Sequence, residues 1–159
     1  MDLTNVRSME FFRKLGLAEE LRQKGVSPET PYNVLMTTGL SQERPVTAWD
    51  HPSVEEFRRR IRATNDGTQP LEPYQRISQE VFEASMKSVC DKNPLIDVRF
   101  GWKLESVKEM ADGVTAEVSR AAETGTKPHR IKAKYAVACD GASSRCRRCL
   151  EIPLDGGPV

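Results

Sequence analysis

The 159-residue chain has no apolar run approaching the roughly 20 residues needed to span a bilayer, which excludes a transmembrane helix. It has little charge of one sign. Twenty-four Lys+Arg stand against 23 Asp+Glu, for a formal net charge of +1, so no general field invites nucleic acid or an anionic membrane. Histidine is scarce, with only His51 and His129, and these stand in unrelated loops. Cysteine is present four times at uneven spacing, without a second C-x2-C to accompany Cys146 and Cys149. Zinc sites with four protein ligands commonly use paired groups, so a metal reading is rejected here. The opening "MDLTNVRSMEFF" has no signal-peptide layout, and unevenly spaced thiols suit a reducing compartment. The expected location is therefore cytoplasmic. Hydrophobic content is 38%, low for a self-sufficient domain, and hints at missing packing partners.

Against these absences, the periodic segments are clear. In "NVRSMEFFRKLGLAEELRQKG", Asn5 or Ser8 can cap a helix whose Val6, Met9 and Phe12 share one face. Gly16 breaks the pattern, Leu17 and Leu21 resume it, and Gly25 ends it. "YNVLMTTGL" and "PVTAWD" read as two short strands around a polar turn. The stretch from His51 to Pro73 is the least regular, and its Arg58–Arg62 cluster, flanked by Glu55 and Glu56, reads as a solvated helix face. "ISQEVFEASMKSVCDK" is a helix capped by Ser78 and stopped at Asn93-Pro94. From Ile96 to Leu104 the period is two. Asp112-Gly113 makes a turn, and Val114, Ala116 and Val118 alternate again.

The uninterrupted run Tyr135 to Cys139 predicts a strand covered on both faces, as in a layered α/β sheet. It delivers Asp140 and Gly141 to the strand's end, where open α/β sheets keep their ligand crevice. Ser143 or Ser144 can cap a helix there, and its N–H groups, with Arg145 or Arg147, favour an anion. Asp140 can accept hydrogen bonds from ribose or ribityl hydroxyls. A redox role for Cys146 and Cys149 competes, since a helix N-terminus and arginines lower a thiol pKa, but thioredoxin-like surroundings are absent. The cofactor reading is preferred.

The ordered set of segments resembles the FAD-dependent aromatic hydroxylases, the single-component flavoprotein monooxygenases typified by para-hydroxybenzoate hydroxylase and phenol hydroxylase. "YAVACDGASSRCRR" is similar to that family's D-G-x-x-S-x-x-R motif, at Asp140, Gly141, Ser144 and Arg147. "RISQEVFEASM" resembles the helix opening whose glutamine reaches the flavin, here Gln79, and "NVRSMEFFRKLGL" resembles the helix after the family's second strand. The resemblance implies an α/β fold: a partial, Rossmann-like, three-layer FAD-binding domain with part of a substrate-side β-sheet. Residues 1–30 would be its helical part, 31–72 partial substrate-side strands and loop, and 73–159 its continuation with the motif. It implies FAD as cofactor, NAD(P)H as co-substrate, oxygen as oxidant and a phenolic or related aromatic substrate. No residue is singled out as acid, base or nucleophile. The family's G-x-G-x-x-G and later G-D motifs are absent from these residues. The expectation is an internal piece of a monooxygenase, inactive alone. A non-catalytic α/β interaction module, or a degenerate paralogue, is the alternative.

Overall fold

The computed structural model describes residues 3–41, 44–122 and 127–156, in two compact units, Met1–Asp97 and Val98–Val159. The first unit is mainly helical. Its two-residue strand β1 (Leu3–Thr4) leads to α1 (Val6–Lys14), where the Asn5 side chain accepts the Ser8 N–H at 2.9 Å as the cap. Met9 points inward and is fully buried. Gly16, at φ +73°, turns the chain into α2 (Ala18–Lys24), which buries Ala18, Leu21 and Arg22. Strands β2 (Val34–Met36) and β3 (Thr47–Trp49) form an antiparallel hairpin whose residues are all exposed.

The region that reads as least regular contains an eleven-residue helix, α3 (Val54–Thr64). Ser53 caps it by accepting from the Glu56 N–H, and left-handed Asn65 ends it. The Ser-x-x-Glu spacing is the start signal. Its arginines pair with carboxylates: Arg60 with Glu56, Arg62 with Glu55 and Arg58 with Glu19 and Glu72. The solvated-face reading stands.

Strand β4 (Gln75–Arg76) pairs antiparallel with β1 and delivers the chain to α4 (Gln79–Asp91), capped by Ser78. A buried polar cluster fixes this approach. Arg22, 5% exposed, donates to Glu72, to Gln75 Oε1 and to the carbonyls of Pro73 and Tyr74. Gln75 in turn donates to the carbonyls of Val26 and Arg76.

The second unit is an antiparallel meander of β5 (Trp102–Met110), β6 (Gly113–Arg120) and β7 (His129–Ala133), followed by the short helix α5 (Arg145–Cys149). Alternation sends Val107, Val114, Ala116, Val118 and Ile131 to one face, and Ser106, Lys108, Thr115, Glu117, Arg130 and Lys132 to the other.

Two expectations need correction. The period-two stretch enters a strand only at Trp102, and Ile96, Val98 and Phe100 lie outside it, with Phe100 71% exposed. Tyr135 to Cys139 is not a buried strand. It lies outside every sheet of the described residues, with Tyr135 85% and Val137 86% exposed. An apolar run becomes a central strand only when neighbours pair its edges and layers cover its faces, and the described residues of this unit supply neither. Cys139 is correspondingly exposed, not packed as a small core hydrophobe.

Candidate functional site

The Asp140–Leu150 segment is organised around one carboxylate. Asp140 Oδ2 accepts the backbone N–H of Arg145 at 2.6 Å and that of Cys146 at 3.2 Å. The Ser144 hydroxyl accepts the N–H of Arg147 at 3.0 Å, which completes the cap of α5. Gly141 adopts φ +71°, the left-handed conformation that costs a glycine least, and its N-terminal turn closes through Ser144 N–H to the Gly141 carbonyl. A side chain at Gly141 would meet nothing within 4 Å, so the backbone there has an open face.

This corrects the reading of α5 as a ready anion site. Its first N–H groups are already taken by Asp140 and Ser144, so a phosphate cannot use them without displacing a cap. Arg145 is committed as well, to Glu105 Oε2 at 2.9 Å and to the Glu105 carbonyl. Glu105 sits at an irregularity in the β5–β6 register. Nothing in its spacing announces a partner 40 residues away. Arg147 donates to the Ile152 carbonyl, while its buried Nε has no partner among the described residues. Arg148 holds the Ser143 carbonyl at 2.7 Å.

Electrostatics follow from these contacts. The Ser144 hydroxyl, then the N–H groups of Cys146 and Arg145, outweigh desolvation and hold the Asp140 carboxyl below its ordinary range. It is an exposed, ionised acceptor. The Ser119 hydroxyl and Lys103 do the same for Glu105. Burial, with the Asp140 charge beside it, pushes the Cys146 thiol up. A thiol held protonated is a poor redox nucleophile, which weakens the C-x2-C alternative. Among the described residues, no three His, Cys, Asp or Glu side chains gather where they could hold a metal ion.

Of the five residues singled out by sequence, Asp140, Gly141, Ser144 and Arg147 come together in this one turn and helix. Gln79 belongs to the first unit, as the opening residue of α4, where its carboxamide donates to Glu83 at 2.6 Å. Within the second unit the groups are chemically compatible with a nucleotide: a carboxylate able to accept from sugar hydroxyls, an open glycine backbone and a guanidinium with a desolvated N–H. The helix N–H groups are the one part that is not.

Asp140, Gly141 and Ser144 thus form one capped turn that opens the short arginine-rich helix α5. The FAD binding domain family matches residues 2–158, and the chain belongs to it. FAD-dependent monooxygenase apdD of Emericella nidulans is 48% identical over all 159 residues, which span 25% of that protein. The 3-(3-hydroxy-phenyl)propionate/3-hydroxycinnamic acid hydroxylase of Mycobacterium sp. is 31% identical over 78 residues, 49% of this chain and 13% of that one. In fold, the chain is similar to the flavin-dependent monooxygenase PieE, solved with FAD and substrate. The TM-score is 0.79 at 22% identity, covering 98% of this chain and 26% of that one. The chain thus spans about a quarter of the length of the monooxygenases it matches along its whole length. It is a segment of the FAD-binding domain of flavin-dependent monooxygenases, with FAD as the cofactor of the family.

Proposed function

We propose that these residues serve the FAD of a longer monooxygenase that consumes NAD(P)H and oxygen to hydroxylate a phenolic or related aromatic compound. Asp140 would accept from the sugar hydroxyls of the nucleotide, with Gly141 leaving room for its approach, and Ser144 and Arg147 would hold the turn. Gln79 would offer its carboxamide to the same cofactor. Bound FAD supplies the redox chemistry, and the protein supplies position and a water-excluding surround. Residues 1–30 and 73–159 are assigned to the cofactor domain and 31–72, with the β2–β3 hairpin, to the substrate side. The observation that carries this reading is the Asp140 carboxylate, ionised and fixed by two backbone N–H groups at the end of a D-G-x-x-S-x-x-R motif.

Alone, the 159 residues should bind FAD weakly and show no NAD(P)H oxidation. A hydrogen bond contributes about 0.5–1.5 kcal/mol net, and association costs about 4–15 kcal/mol in lost freedom. With the α5 N–H groups already engaged, a handful of bonds leaves a dissociation constant no tighter than roughly millimolar. Fluorescence titration with FAD measures it, and a micromolar constant would overturn the estimate of this half-site.

A second reading, a non-catalytic α/β interaction module, is favoured by exposed apolar residues such as Leu35, Trp49, Tyr135 and Val137. Concentration-dependent self-association of the folded chain would support it, and a chain monomeric at all concentrations would count against it.

A further inference from the structure

The polar face of the β5–β7 sheet carries a concavity of about 510 Å³, in the range of small-molecule sites. Register places Lys108, Thr115 and Lys132 in one row across the three strands, and Ser106, Glu117 and Arg130 in the next. Lys134 borders the same hollow. The charges are uneven. Two carboxylates share the hollow, Asp112 and Glu117, the latter engaged by Ser106 at 3.0 Å and Arg130 at 3.4 Å and facing the Lys108 charge, while four cations, Lys108, Arg130, Lys132 and Lys134, outnumber them. Among the described residues, Lys108, Lys132 and Lys134 make no ion pair, although Glu105, Glu10 and the α3 glutamates all do. Strands about 4.8 Å apart set the Lys108 and Lys132 backbones roughly 10 Å apart, with the Thr115 hydroxyl between them. Like charges at that range across a shallow concave face raise a local positive potential that a multiply charged anion relieves.

We propose that this face binds a small phosphate-bearing molecule with at least two negative charges. Lys108 and Lys132 would clamp its oxygens from either side, Thr115 would donate between them, and Lys134 would add charge at the rim. Met110, two residues beyond Lys108 on the same strand, gives an organic remainder somewhere apolar to rest. The site is separate from the Asp140 turn and stands whether or not the flavin reading does.

The test uses the full 159-residue chain, labelled with 15N and titrated with inorganic pyrophosphate at low ionic strength, with acetate as the monoanion control. Saturable shifts centred on the Lys108, Thr115 and Lys132 amides, at least tenfold tighter for pyrophosphate than for acetate, are expected. Lys108→Gln with Lys132→Gln should weaken binding at least tenfold, while Arg59→Gln on α3 should leave it unchanged. Mapping on the unaltered chain decides the matter even if the double variant folds poorly. Weak shifts spread over all lysines, shifts centred on residues 140–148, or binding only to phosphatidylserine vesicles and not to pyrophosphate would each overturn the proposal.

Discussion

Replacing Arg22 by alanine is expected to cripple the first unit, and the magnitude follows from what the guanidinium holds. Its side chain is 4% exposed, and it donates to Glu72 Oε2 at 2.6 and 3.1 Å, Gln75 Oε1 at 3.0 Å, the Pro73 carbonyl at 2.8 Å and the Tyr74 carbonyl at 3.4 Å. Without it, Glu72 keeps, among the described residues, Arg58 at 3.9 Å, and the Gln75 oxygen has lost the Arg22 donor. Removing one member of a buried ion pair costs about 3–5 kcal/mol. A unit of this size has about 5–15 kcal/mol in total at about 0.05–0.15 kcal/mol per residue. About a fifth or more of the stability therefore goes. With a urea m-value of about 2 kcal/mol/M, the midpoint should fall by roughly 2 M. Far-UV circular dichroism reads this well, since among the described residues four of the five helices lie in this unit. Arg22→Met with Glu72→Leu leaves no unpaired buried charge and should lose less than Arg22→Ala alone. A midpoint shift below about 0.5 M for Arg22→Ala would refute the reasoning, because the cluster would then be contributing no more than a surface pair.

Two further outcomes follow from the second unit. Asp140 has its carboxyl pKa lowered by the Ser144 hydroxyl and by the backbone N–H groups it accepts, so its contribution is present above the unfolded carboxylate pKa and lost as pH falls through the lower folded value. The Arg145 and Cys146 amide resonances should titrate below the ordinary aspartate range. Titration at or above it would break the assignment. Amide exchange across Tyr135 to Cys139 should be fast in the isolated chain, since no strand pairs with it there among the described residues. Strong protection would restore the buried-strand expectation.

What the sequence made legible was local. Ser78 caps the helix its position predicts, and of the paired candidates Asn5 and Ser144, not Ser8 and Ser143, are the caps, because a cap needs only a side-chain oxygen and an N–H two or three residues on. Strand β6 and the turn before it follow from alternation and Asp112-Gly113, while the expected alternation meets β5 only over Trp102–Leu104. The Asp140 motif was legible as a motif. Its internal wiring was not, since Asp140 serves both as a candidate ligand group and as the cap that uses up the helix N–H groups. Long-range choices escaped altogether. Nothing in "EELRQK" marks Arg22 as buried, for its partners lie 50 or more residues on, and an arginine on an amphipathic helix ordinarily faces water. The apolar run Tyr135 to Cys139 misled for the converse reason: strand burial is a property of neighbours, and hydrophobicity records only a demand for them.

The central claim is that this chain carries the FAD-facing turn of a flavin monooxygenase domain, with Asp140 at its centre. The most direct test replaces the matching quarter of a full-length relative such as apdD by these 159 residues and measures flavin content and reduction by NAD(P)H, with and without Asp140→Ala. A yellow chimera that is reduced by NAD(P)H, and that loses flavin or is reduced more slowly once Asp140 is alanine, is the predicted result. A folded chimera without flavin, or one indifferent to Asp140→Ala, would contradict it.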